Sequence, residues 1–182
     1  MVRKIKIFFL MLVIIFVGFT HSYSQEKNVV YINIIPVLVS NLNLHYEFAL
    51  SKKITLLAGV GYMSGLYGIT IEDFEMTTTA LKIGFGFYPA GEPLRGFYVL
   101  PNFIQNNMSV KYKPTSETGS VSWQTISVEF GHRWIWKGGV MFDLSIGMGS
   151  VPEVEAKAGD HTEKIVGRTG LTHVGVQFGY AW

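Results

Sequence analysis

Val140-Met141-Phe142-Asp143-Leu144-Ser145-Ile146-Gly147-Met148-Gly149 alternates from end to end. In an extended chain successive side chains point to opposite faces. Val140, Phe142, Leu144, Ile146 and Met148 therefore share one face, and Met141, Asp143, Ser145, Gly147 and Gly149 the other. The stretch reads as a strand with one greasy face and one face of small and polar groups. The end of the chain repeats it, with Val174, Val176, Phe178, Tyr180 and Trp182 against His173, Gly175, Gln177, Gly179 and Ala181.

Working back along the chain, Ile126, Val128, Phe130 and Trp134 oppose Ser127, Glu129, Gly131 and Arg133. Leu81, Ile83, Phe85 and Phe87 oppose Lys82, Gly84, Gly86 and Tyr88. Ile54, Leu56, Ala58, Val60 and Tyr62 oppose Thr55, Leu57, Gly59 and Gly61, and Leu42, Leu44, Tyr46, Phe48 and Leu50 oppose Asn43, His45, Glu47 and Ala49. Two further segments, Val30 to Leu38 and Phe97 to Lys113, carry Pro36 and Pro101. Proline removes a ladder donor, so a bend or bulge is expected at each. The sum is eight strands, and past Lys27 no stretch has helical periodicity.

The connections fall into two classes that alternate. Ser51 to Lys53, Pro89 to Arg95 and Trp136 to Gly139 are short; Met63 to Met76, Lys113 to Ser120 and Ser150 to Thr169 are longer and mostly more polar. Only the tight link around Val39 to Asn41 departs from this on the long-loop side. A meander with short turns at one end and long loops at the other is the pattern of a bacterial outer-membrane barrel.

The start of the chain agrees. Arg3, Lys4 and Lys6 precede an apolar run from Ile7 to Phe19, and Ser22-Tyr23-Ser24 supplies small residues before Gln25. This order is that of a secretory signal peptide, and the run is short for a spanning helix. Residues 1–24 are expected to be cleaved, leaving 25–182 as a single barrel domain. The full chain has 15 Lys+Arg and 13 Asp+Glu; removing 3 bases leaves 12 against 13, a net charge of −1. No basic cluster remains that could track a phosphate backbone, so nucleic acid is not an expected partner. The absence of Cys excludes disulfides, thiolate metal sites and a lipoprotein anchor.

Which face is inside separates a membrane barrel from a soluble calyx. Gly59, Gly61, Gly84, Gly86, Gly131, Gly147, Gly149, Gly175 and Gly179 all lie on the less apolar face. The interior of an eight-stranded barrel is only just wide enough for side chains, so small residues belong there. That face carries just Glu47, Lys82, Glu129, Arg133 and Asp143 as charges in the clean segments, too few for a solvated surface. Phe48, Phe87, Phe97, Trp134, Tyr180 and Trp182 fall on the other face near the short turns, with Trp136 in a turn beside them, as in an interfacial aromatic girdle. The fold expected is all-β, an eight-stranded antiparallel up-and-down transmembrane β-barrel.

The closing strand Val176-Gln177-Phe178-Gly179-Tyr180-Ala181-Trp182 resembles the C-terminal strand read by the outer-membrane barrel assembly machinery, with Trp182 where Phe is usual. Gly96-Phe97-Tyr98-Val99 and Gly131-His132-Arg133-Trp134 also resemble small outer-membrane barrels of unknown function. Together these stretches resemble the eight-stranded OmpA/OmpX class over Val29 to Trp182. The resemblance implies the cell outer membrane as location, with outer-membrane lipid and the assembly machinery as partners. It implies no catalytic or binding residues.

Little in the chain carries chemistry. Gly84-Phe85-Gly86 and Gly147-Met148-Gly149 lie inside strands with no helix following, so they are lumen glycines and not phosphate loops. Glu47, Lys82, Glu129, Arg133 and Asp143, with His45 and His173, form a structural polar network in the lumen, Arg133 pairing with Glu129 or Asp143. His132 points outward near the short-turn interface. Asp160, His161 and Glu163 match no established cation site. Tyr67, Phe74 and the charges of the last loop are the candidate surface contacts, their partner undefined.

The function expected is that of a small integral outer-membrane protein with an envelope-structural or surface-interaction role through its loops, not an enzyme and without cofactor or metal. Three alternatives stay open. A lipid-A-modifying enzyme needs a His, Ser and acid cluster; a narrow channel needs a continuous wet lumen; a soluble periplasmic calyx needs the aromatic face inside.

Overall fold

The computed structural model describes residues 26–37, 41–64, 74–90, 92–152, 154–158, 161–165 and 168–182. The expected signal segment, residues 1–24, and Tyr67 lie outside them. Among the described residues ten strands and one helical turn follow in order: β1 (Asn28–Asn33), α1 (Ile34–Val37), β2 (Asn41–Ala49), β3 (Ile54–Ser64), β4 (Phe74–Phe87), β5 (Gly96–Tyr112), β6 (Glu117–Ile135), β7 (Val140–Val151), β8 (Val154–Ala158), β9 (His161–Ile165) and β10 (Arg168–Ala181). Eight of them close into an antiparallel up-and-down barrel in the order β1-β10-β7-β6-β5-β4-β3-β2. The seam runs from Val29 opposite Ala181 to Asn33 opposite Gln177. At its end the amides of Lys27 and Asn28 donate to the Trp182 carbonyl at 2.9 and 3.0 Å. Closure pairs the backbone groups that the first and last strands would otherwise leave bare.

The alternation of sequence becomes a radial division. Leu44, Phe48, Leu56, Ile83, Phe85, Phe130, Leu144, Ile146 and Phe178 are exposed on the outer wall, while Glu47, Glu129, Arg133 and Asp143 are buried in the lumen. On β6 the outward row begins at Trp134 and ends at Ile126, which is 68% exposed. Beyond it the outward positions turn polar, at Gln124 and at its ladder partner Gln105 on β5.

Four local features differ from the sequence reading. The first segment does not continue as a strand to Leu38: β1 stops at Asn33 and Ile34–Val37 make one helical turn. Asn33 caps this turn, its Oδ1 accepting from the Ile35 amide at 3.3 Å, and Pro36 sits where a first-turn residue needs no amide. Pro101 produces no bulge. β5 pairs with β4 in the same register on both sides of it, and only the ladder pairs opposite Phe85 and Gly86 are missing. The segment 113–120 is not a long loop, since β5 and β6 run on past the barrel wall to a turn between Tyr112 and Glu117. The segment 150–169 contains a second small sheet, β8 with β9, Val154 opposite Ile165 and Ala158 opposite His161.

Size matching in the lumen is tight at Gly131. A Cβ there would run into the ring and hydroxyl of Tyr98, its ladder partner on β5. Gly131→Val is therefore expected to destabilise the barrel by about 1–3 kcal/mol, the usual cost of overpacking. The temperature at which the folded form unfolds in detergent gels reads this out. Val128→Leu, on the outward face of the same strand, is expected to leave that temperature unchanged.

Candidate functional site

The lumen is filled in layers. Nearest the short turns lies an apolar floor: Val29 from β1, Met141 from β7, Ala181 from β10, Ile135 from β6, and Leu94 from the turn between β4 and β5. Leu94 is fully buried in a left-handed backbone conformation (φ 66°).

Above the floor lies the Arg133 guanidinium, 0% exposed. Its Nε donates to Asp143 Oδ2 at 2.9 Å, and its Nη1 to Glu47 Oε2 at 2.7 Å and to the Tyr88 hydroxyl at 3.0 Å. One side chain thus ties β6 to β7 and, across the lumen, to β2. Tyr31 and Tyr98 present their ring faces to the cation, with centroids 4.8 and 5.2 Å from its central carbon. The carboxylates are satisfied in turn. Tyr88 donates to Glu47 at 2.9 Å, Thr55 also donates to Glu47, and Tyr98 donates to Asp143 at 3.0 Å. One cation between two anions, each with further donors, is the arrangement that lets charges stay buried.

A second layer lies toward the long-loop end. Lys82 on β4 pairs with Glu129 on β6, and Asn102 on β5 donates to the same carboxylate at 3.1 Å. Ser127 donates to Asn102 at 2.7 Å. His173 Nε2 lies 3.7 Å from Glu129 Oε2 and 3.3 Å from Ser145 Oγ, and Gln177 donates to Ser145 at 3.0 Å. The His45 ring lies tilted against that of Tyr31 with centroids 5.0 Å apart, and among the described residues no hydrogen bond or ring contact joins it to His173.

Arg133 takes Asp143 and Glu47 as its partners, not Glu129, which belongs to Lys82. The sequence reading puts Tyr88 on the inward face with Lys82 but gives neither it nor Tyr31 and Tyr98 a part in the charge network. Tyr98 follows the outward Phe97, so alternation puts it inward, which is a usable signal. Tyr31 sits in the segment disturbed by Pro36, and nothing local marks Leu94 as a plug.

The Ser–His–acid grouping that a lipid-modifying enzyme requires is met in distance but not in arrangement. Ser145 and Glu129 both address Nε2 of His173, whereas a relay needs the acid on the opposite ring nitrogen. Among the described residues no group of three His, Asp or Glu side chains is placed to hold a metal ion. Side chains of the segment 153–168, including Asp160, His161 and Glu163, and that of Phe74 lie outside the described residues.

On the outer wall, Phe48, Phe87, Phe97, Trp134 and Trp182 are exposed and Tyr180 is half-buried. The tryptophans make local ring contacts: Trp134 and Trp136 each stack on Phe142, at 5.6 and 6.5 Å, and Trp182 stands 6.4 Å from both Tyr180 and Tyr46. The His132 ring faces out against Trp134 at 4.4 Å. Comparison of the chain with protein-family models, curated proteins and solved structures returned no match.

Arg133→Ala leaves two buried carboxylates without their cation and is expected to cost about 3–5 kcal/mol. Replacing the whole group, as Arg133→Met with Glu47→Gln and Asp143→Asn, is expected to return most of that loss. Urea unfolding of the barrel in lipid vesicles, followed by tryptophan fluorescence, compares the two variants with the parent.

Proposed function

We propose that the chain is a small integral outer-membrane protein of the OmpA/OmpX kind, acting as an envelope-structural or surface-interaction element through its long-loop end. The observation that carries this is the inversion of polarity: large apolar side chains cover the outside of a closed barrel whose inside holds buried charges. Water would penalise such a wall, whereas hydrocarbon requires it, and a closed ladder is one of the two ways a backbone can cross lipid. The outward row from Trp134 to Ile126, apolar except for His132, has the length that a tilted spanning strand needs, about 9–11 residues.

The alternatives fit less well. A soluble calyx would need its aromatic face inside, and the faces are the other way round. A channel would need a wet path past the apolar floor and the Arg133 layer, where Leu94, Met141 and Arg133 are each fully buried. Catalysis would need a nucleophile open to substrate, and Ser145 is enclosed in the lumen beside its neighbours.

A surface-interaction role has a structural basis at the long-loop end. The ladder between β6 and β7 covers only Ile126 to Ile135, while that between β6 and β5 continues out to Glu117. The outer part of β6 thus projects beyond the wall paired with β5 and with β8 of the small sheet beside it, and these strands together form the surface that a partner would meet.

The mature protein in an outer-membrane fraction is expected to migrate differently on SDS gels boiled and unboiled, and to give no steady single-channel conductance in planar bilayers. Recovery as a soluble periplasmic protein with no gel shift would overturn the membrane reading. Stable conductance steps would overturn the closed lumen alone.

A further inference from the structure

The short-turn end differs in charge from the rest of the molecule. It carries Lys27, Lys52, Lys53, Arg95 and Lys137 against Glu26 and Glu92, in a chain whose remaining residues after position 24 are net acidic. Each short turn contributes at least one cation: Lys52 and Lys53 between β2 and β3, Arg95 between β4 and β5, Lys137 between β6 and β7. Because these turns follow one another around the barrel, the cations ring its rim. All five side chains are exposed. Arg95 is held by Glu26 at 3.5 Å, whereas Lys52, Lys53 and Lys137 have no acidic partner among the described residues.

The turns that carry them are fixed in place. Ser51 Oγ accepts from the amides of Lys53 and Ile54 at 3.3 and 3.2 Å, and the Lys53 carbonyl accepts from the Tyr88 amide of the neighbouring turn at 2.8 Å. Gly139 accepts from the Ala181 amide at 2.8 Å, tying the turn of Lys137 to the closing strand. At the same end Trp134 and Trp136 flank the turn of Lys137 and Trp182 stands at the seam beside Lys27, all three exposed and stacked on other rings. His132 continues this row on the outward face.

We propose that this rim is a binding surface for anionic phospholipids, with the lysine ammonium groups taking the headgroup phosphates and the tryptophans seated among the ester groups just above. The inference rests on the membrane reading and deepens it, since it names the lipid that faces one end of the barrel. Ammonium groups at a fixed height beside amphipathic rings complement a layer of phosphates. A basic residue near an anionic leaflet gains about 1 kcal/mol, or about fivefold in binding. Three unpaired lysines on ordered turns are therefore enough to select lipid by charge.

The test uses the mature barrel reconstituted in vesicles of equal parts phosphatidylglycerol and phosphatidylcholine. After extraction into mild detergent, retained lipids are counted by native mass spectrometry. The parent is expected to keep phosphatidylglycerol over phosphatidylcholine by about fivefold or more, and to lose that preference when extraction is done in about 1 M salt, where charges are screened. Lys52→Gln, Lys53→Gln and Lys137→Gln combined are expected to bring the ratio close to one with the heat-dependent gel shift unchanged. An equal ratio for the parent, or the same enrichment in parent and variant, overturns the proposal while leaving the membrane barrel standing. Failure of the parent to enter vesicles of either lipid removes the membrane reading itself. Should the triple variant not fold, the salt dependence of the parent and the Lys137→Gln variant decide the matter.

Discussion

A guanidinium with no access to solvent needs negative charge on more than one side, and in this barrel those partners come from strands that are far apart in sequence. Arg133 reaches Asp143 on the adjacent strand and Glu47 across the lumen, and three tyrosines complete its surroundings. The arrangement fixes the register of β6, β7 and β2 at one level, because a slip of one residue on any strand would turn its charge outward. It also explains the glycines nearby. The Tyr98 ring that flanks the cation needs the space that Gly131 leaves.

The interior is built from charge and the exterior from hydrocarbon, and each requires the other. A lumen of apolar side chains would give no reason for one register over another, whereas a polar lumen of ion pairs is satisfied only when opposite partners meet. The apolar wall gains nothing from facing water, and this division is the ground of the proposed lipid setting. Below the ion pairs Leu94 and its apolar neighbours pack together at one end. The opposite end is where β5 and β6 outgrow the wall and where the small sheet of β8 and β9 stands.

Legibility in the sequence varied with the kind of signal. Parity along each clean strand located Glu47, Lys82, Glu129, Arg133 and Asp143 on the lumen side, since alternation needs only local information. The sequence narrows the partner of Arg133 to Asp143 or Glu129, but Glu47 lies 86 positions away in the chain and no local pattern links the two. Pro36 and Pro101 carried the same warning and had different outcomes. Pro36 ends a strand in a helical turn capped by Asn33, whereas Pro101 leaves its register intact because its neighbours on β6 continue the pairing.

What the sequence determined by itself is the all-β class, the number of strands in the wall and which residues face in or out, because side-chain alternation is a property of an extended chain whatever it packs against. Which charges meet, how far β5 and β6 project, that residues 150–169 contain a small sheet, and that Leu94 packs into the floor were decided only by the closed barrel. Those features depend on distances across the lumen and on the shear between strands, and closure sets both at once for all eight strands.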